Sequence, residues 1–371
     1  MKQAKIGGIA AASLFVAVSA AAAPPLSFDG IEPQVIEWRR HFHRHPELSN
    51  REFETAKTVA AELEAMGLDV TTGIAHTGVV AMLEGGKPGP LVALRADMDG
   101  LPVVERTDVP FRSTATGTYR GEEVGVMHAC GHDTHMAMLL GAARVLSAAR
   151  DELPGSVLFI FQPAEEGAPE GEEGGAELML KEGLFEKQRP DAVFGLHVFA
   201  GIVAGSVGYR SGPAMASSDR FRIRVIGRQT HGSRPWSGVD PIVVAAQIVT
   251  AAQTIQSRQV DVTRAPSILS FGIVNGGVRN NIIPDEVELV GTIRNFDMDI
   301  RDSIHERLER TATRIAEASG ATAEVTIDIG YPVTVNDPAL TEAMLPAVRR
   351  IAGDEAVFEA PLRTGAEDFS Y

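Results

Sequence analysis

SVLFIFQPAEE, residues 156–166, decides how this chain folds. Val157–Phe161 is an apolar run without polar alternation, the pattern of a strand covered on both faces. The run stops at Pro163, and Glu165 and Glu166 follow. Adjacent carboxylates at the end of a buried strand repel each other, so a neighbouring cation is expected. The competing reading is a solvated acidic loop. The pair opens EEGAPEGEEGGAE, 165–177, whose remainder reads as a mobile, Gly-rich loop.

Three more strand-like stretches surround it: GVVAMLEG (78–85), PLVALRADMD (90–99) and AVFGLHV (192–198). Helical spacing links Ile31, Val35, Ile36, Trp38 and Phe42 and resumes over Thr55–Met66, with HRHPELSNREFET (43–55) as a turn between. Residues 133–149 and 176–183 also read as helices. Strands alternating with helices predict an α/β sheet, and sites in such sheets form where strands end. From residue 218 the order changes. DRFRIRVIG (219–227), a helix over 240–257, SILSFGIVNGG (267–277), EVELVGTIRNF (286–296), a helix over 298–319 and TAEVTIDIG (322–330) make a β-α-β-β-α-β unit. That is the ferredoxin-like split βαβ order, expected as a second domain.

Four strand-end clusters share one chemical character: Asp97 and Asp99; Cys130 and His132; Glu165 and Glu166; His197. Thiolate, imidazole and carboxylate together suit zinc, manganese or cobalt. A lone histidine is more often a hydrogen-bonded core residue, so the signal lies in the combination. In the Glu pair, one carboxylate can ligate while the other accepts a proton from activated water.

RADMDGLP, MHACGHDTHMA, FQPAEEG, GLHV, GTIRNFD and GAEDFSY resemble the aminoacylase/hippurate hydrolase branch of the M20 metallopeptidases, over about residues 35–371. The resemblance implies a dinuclear-metal exopeptidase-like catalytic domain, 24–212 and 329–371, with an inserted ferredoxin-like lid and dimerisation domain, 213–328. It implies two divalent ions per subunit, zinc or manganese with cobalt or nickel as alternatives. Cys130, His132, Glu166 and His197 become their ligands, Glu165 the general base and Asp99 the carboxylate that orients the site. Asp97 stands where many M20 relatives have a ligand histidine. His231, in GRQTHGSRPWSGVDP, matches a lid histidine that reaches an active site, that of the partner subunit, and helps hold the oxyanion. Asn281 and Arg294 match lid positions that touch the substrate amide or carboxylate. Pro235-Trp236 replaces the usual Pro-His, which bears on the pocket and not on the reaction. A last histidine ligand is implied beyond Gly365–Phe369, and no residue up to Tyr371 takes that position.

The expected function is metal-dependent hydrolysis of N-acyl amino acids, hippurate-like or related conjugates, or small peptides, in a homodimer. Two other classes compete. One is an exported metal- or peptide-binding module, inactive for want of the last ligand. The other is a cysteine hydrolase with Cys130 as nucleophile, which would leave the carboxylate clusters without a purpose.

With 371 residues, 44% hydrophobic and 22% charged, the chain exceeds one comfortable core. A net charge of -15 argues against nucleic acid or an anionic membrane as partner. Lys2 and Lys5 precede an apolar run, Ile6–Val18, and then small residues up to Ala23. That order predicts a signal peptide over 1–23 and a periplasmic or secreted product, rather than an uncleaved anchor. The single cysteine then has no internal disulfide partner, and metal ligation explains its presence.

Overall fold

The computed structural model describes residues 26–371, so the expected signal peptide lies outside the described residues. The first unit is a five-stranded sheet: β1 (Asp69–Ile74), β2 (Gly78–Glu84), β3 (Lys87–Asp97), β4 (Pro154–Gln162) and β5 (Ala192–Gly195), in spatial order β1-β2-β4-β3-β5. β3 runs parallel to β4 and β5, while β2 is antiparallel to β1 and β4. Asp97 stands opposite Gln162, and Arg95 opposite Gly195. That register makes three parallel strands end at one edge, where their following residues meet.

Alternate residues of β4 serve two cores. Phe159 and Phe161 pack with Trp38, Phe42, Val59, Leu63 and Leu140 from α1 (Glu32–Arg44), α2 (Phe53–Ala65) and α3 (His132–Ala148). Leu158 and Ile160 face Leu178 and Met179 of α4 (Gly175–Lys181). Burying each phenylalanine contributes about 2–3 kcal/mol, which anchors the strand that delivers the two glutamates. α3 starts at Gly131, whose φ is 93°. A Cβ there would lie 2.2 Å from Val198 Cγ2, so only glycine admits this entry.

The second unit is a four-stranded antiparallel sheet: β6 (Asp219–Ile226), β7 (Ser267–Gly276), β8 (Glu286–Asn295) and β9 (Thr322–Ile329), in spatial order β7-β8-β6-β9. α5 (Pro241–Thr254) and α6 (Met298–Ala318) share its core with Phe221, Ile223 and Val225, while Arg220, Arg222 and Arg224 alternate outward. Asp240 and Asp297 cap the two helices through their side chains. α7 (Pro338–Ala352) follows after the chain has returned.

Three local expectations change. The strand at 192–198 stops at Gly195, so His197 sits in the loop beyond it. The helix expected to Ser257 gives way after Thr254 to a π-helical turn, Ile255–Gln259, with Ile255 fully buried. The acidic loop is tied down rather than free: Arg51 Nη2 lies 2.5 Å from Glu172, Asn50 donates to Glu172 at 3.1 Å, and Lys181 pairs with Glu173 at 2.7 Å.

Candidate metal centre

Asp99, two residues beyond β3, organises the turn after β4. Its Oδ1 accepts the Glu165 N–H at 3.1 Å and its Oδ2 the Glu166 N–H at 3.0 Å. The Ser49 hydroxyl donates to the same Oδ2 at 2.7 Å. Ala164, just before the pair, has φ 52°, a left-handed conformation that costs a non-glycine residue roughly 1 kcal/mol. Its N–H donates to buried Glu52 at 2.9 Å, and the Tyr331 hydroxyl donates to the Glu165 carbonyl at 2.8 Å. The outcome is a division: Glu165 is 5% exposed, whereas Glu166 lies on the open side.

The histidines are set by their second nitrogens. His197 Nδ1 donates to the Val198 carbonyl at 2.7 Å, which leaves Nε2 facing Cys130 Sγ at 3.4 Å. Neither ring nitrogen of fully buried His132 makes a sound hydrogen bond, although Asp99 Oδ1 lies 3.2 Å from Nδ1. His135 is committed elsewhere: Nδ1 donates to Asp97 at 2.6 Å, and Nε2 accepts the Val198 N–H at 2.9 Å.

The donor set fits divalent cations. Ligand atoms of Cys130, His132 and His197 lie within 4.8 Å of one another, and so do those of His132, Glu165 and Glu166. Buried, unpartnered imidazole nitrogens on His132 are what a metal ligand leaves when its ion is removed. Charge agrees. Burial and the charges of Glu367 and Asp368 push the Glu165 carboxyl up to about 11, and burial pushes up Glu166 and the Cys130 thiol. Asp97 is the exception: against its burial, Arg95 and His132 hold it well below the usual carboxylate range. The cluster is short of positive charge on the side where the thiol and the glutamates meet.

A sequence profile described as "Peptidase family M20/M25/M40" matches residues 93–371. The chain belongs to the M20 peptidase family. Thermostable carboxypeptidase 1 of Saccharolobus solfataricus is 42% identical over 342 residues, which are 92% of this chain and 83% of that protein. The N-acyl-L-amino acid amidohydrolase of Geobacillus stearothermophilus is 42% identical over 326 residues, 87% of this chain and 84% of that protein. A Bacillus subtilis crystal structure, described as a dinuclear metal binding peptidase from the M20 family, superposes with a TM-score of 0.76 at 35% identity. That match covers 92% of this chain and 85% of the other. This M20 chain is therefore a hydrolase, its reaction is metal-dependent amide hydrolysis, and the α/β fold is that of M20 peptidases.

The structure brings Asp99, Cys130, His132, Glu165, Glu166 and His197 together. His231, Asn281 and Arg294 lie on the four-stranded unit instead. His231 is in the short strand Thr230–His231, paired with Ile282–Ile283, and the Gly232 N–H donates to the Asn281 carbonyl at 2.8 Å. Arg294 is half-buried on β8, and burial lowers its guanidinium pKa. Among the described residues no hydrogen bond or ion pair joins these three to the cluster.

Sequence reasoning missed Arg95. It is buried between Asp97 (2.8 Å), Glu367 (2.9 Å) and Asp368 (3.0 Å), and it donates to Gln162 at 2.8 Å. The signal was a lone cation inside the apolar strand LVALRAD, two residues before Asp97. Also missed was His43, which bridges Asp133 (2.9 Å) and Glu105 (3.1 Å) beneath the start of α3.

Proposed function

We propose that this M20 chain hydrolyses the amide bond of N-acyl amino acids or short peptides, with Glu165 as the general base. Cys130, His132, Glu166 and His197 would hold the metal pair, with zinc or manganese favoured by the mixed donor set. When bound, the cations supply water activation near neutral pH and polarise the amide carbonyl. Glu165 accepts the proton of the attacking water and returns it to the leaving nitrogen. Asp99 holds both glutamate amides, so Glu165 stays turned toward the buried side while Glu166 remains free to ligate. That division, Glu165 buried and Glu166 open on one carboxylate clamp, carries the reading.

Asn281 and Arg294 are assigned to the substrate amide and carboxylate; Arg294 is half-buried, feels the charge of Asp219 and forms no salt bridge among the described residues. His231 Nδ1 accepts from the Ser233 N–H at 3.1 Å, so the neutral ring carries its proton on Nε2, as an oxyanion donor requires. Delivery of His231 to a partner's site needs a dimer. β7 is an open sheet edge, with Val274 64% and nearby Val278 90% exposed and Ile242 and Val243 of α5 exposed alongside. A second copy covering that surface accounts for it. Export rests on residues 1–23 alone.

The test is elemental analysis of the purified protein after equilibration with zinc or manganese, with Cys130→Ala and Glu166→Ala alongside, and a screen of N-acetyl and N-benzoyl amino acids. Two metals per chain, reduced in both variants, with turnover on the panel, is the expected result. Metal uptake without turnover would favour a binding module. Activity that survives chelators and is lost on thiol alkylation would favour Cys130 as nucleophile.

A further inference from the structure

The peptide bond between Glu165 and Glu166 is gripped at both ends. Its N–H donates to Asp99 Oδ2 at 3.0 Å, and its carbonyl accepts the Tyr331 hydroxyl at 2.8 Å. A peptide unit is planar, so two such bonds fix the plane from which both glutamate side chains depart. The plane needs fixing, because left-handed Ala164 precedes it.

The two grips have different origins. Asp99 extends from β3, inside the five-stranded unit. Tyr331 lies two residues beyond β9, on the segment by which the chain returns from the four-stranded unit. Its backbone belongs to that crossing. The Ser218 N–H donates to the Tyr331 carbonyl at 2.9 Å, and the Gly330 N–H donates to Asp219 Oδ1 at 3.1 Å. Asp219 is locked by Arg301 and by His305 Nε2 at 2.9 Å. A Cβ on Gly330 would stand 2.1 Å from the Ser218 carbonyl, so the two crossing strands touch backbone to backbone.

We infer that Tyr331 is a positioning residue that ties the crossing strands of the four-stranded unit to the direction of the Glu165 carboxylate. The inference rests on Glu165 as the base. Tyr331 touches no reacting atom. It holds the carbonyl side of the peptide that Asp99 holds from the other side, so any shift of the crossing strands reaches the base through one hydroxyl.

The test is Tyr331→Phe in the full-length, metal-loaded protein, which keeps the ring and deletes the hydroxyl, assayed on the best N-acetyl amino acid of the panel. The expected result is a fall in kcat of about tenfold, what one hydrogen bond of ordinary net strength amounts to. KM should stay within about twofold, with metal per chain unchanged and Tm nearly so. The same substitution in a Glu165→Asp background should cost no more than about twofold further, because coupled residues are not additive. An unchanged kcat, a lowered metal content, or an undiminished tenfold loss in the Glu165→Asp background would each overturn the positioning role. Full turnover in Glu165→Gln would remove the base reading and this inference with it. Normal kcat in Tyr331→Phe beside an inactive Glu165→Gln removes only the inference.

Discussion

Glu165 and Glu166 share a peptide plane but not an environment. One is enclosed with Asp97 and Glu367 near it, and the other faces Cys130 from the open side. A buried carboxyl that stays protonated without a cation and ionises beside one is suited to passing a proton. Glu165→Gln is therefore expected to lower kcat by about 10²–10⁴, the usual worth of a general base, while metal per chain stays at the wild-type value. Loss of metal together with turnover would move Glu165 from base to ligand. Cys130, His132, His197 and the glutamate pair were legible in the sequence because each follows an apolar strand or opens a helix. Arg95 was not, since two of its carboxylate partners lie 272 and 273 residues further along the chain.

At the scale of elements, the crossing at Asp219 and Gly330 ties together the segments by which the chain enters and leaves the four-stranded sheet. Asp219 begins β6, opposes Ile293 of β8 and Ile329 of β9, and is almost fully enclosed with Arg301. Against its burial, the hydrogen bonds from Arg301 and His305 hold its carboxyl down at about 2. A carboxyl depressed in the folded state stabilises above its unfolded pKa, near 3.9, and loses that contribution as pH falls through 2. The depression is worth about 2 kcal/mol at neutral pH. Asp219→Asn should thus destabilise the protein by about 3 kcal/mol at pH 7, since Arg301 is left buried without its counter-ion. Its denaturation midpoint should also change less between pH 5 and pH 2 than that of the wild type. Equal acid sensitivity would take Asp219 out of that role. The β-α-β-β-α-β order was readable because apolar alternation in β6 and amphipathic spacing in α6 are local properties. The crossing was not, because pairing of 218 with 331 is a matter of topology and leaves no periodic mark.

For the whole molecule, β7 is an open sheet edge, and among the described residues no hydrogen bond or ion pair joins His231 to the cluster. If a second copy covers β7 and lends His231, assembly and turnover fail together. Val274→Lys with Ile273→Glu is expected to give a monomer by sedimentation velocity, with metal per chain retained and kcat reduced by about 10²-fold, the loss seen when one oxyanion donor is removed. A monomer with full kcat would place His231 in its own subunit's site or outside the reaction. No helix among the described residues is long and apolar enough to cross a membrane.

Arg95 sets a timetable for biosynthesis. Its guanidinium is translated early, with Asp97 beside it, but Glu367 and Asp368 emerge only after the entire four-stranded unit has been made. A nascent chain halted before Glu367 would hold an inward-facing cation with one of its three carboxylates, so the strand ends around it could not settle. Contacts of such long sequence separation are slow to form, and a ribosome-bound chain therefore remains without a finished catalytic cluster until Glu367 and Asp368 have been delivered.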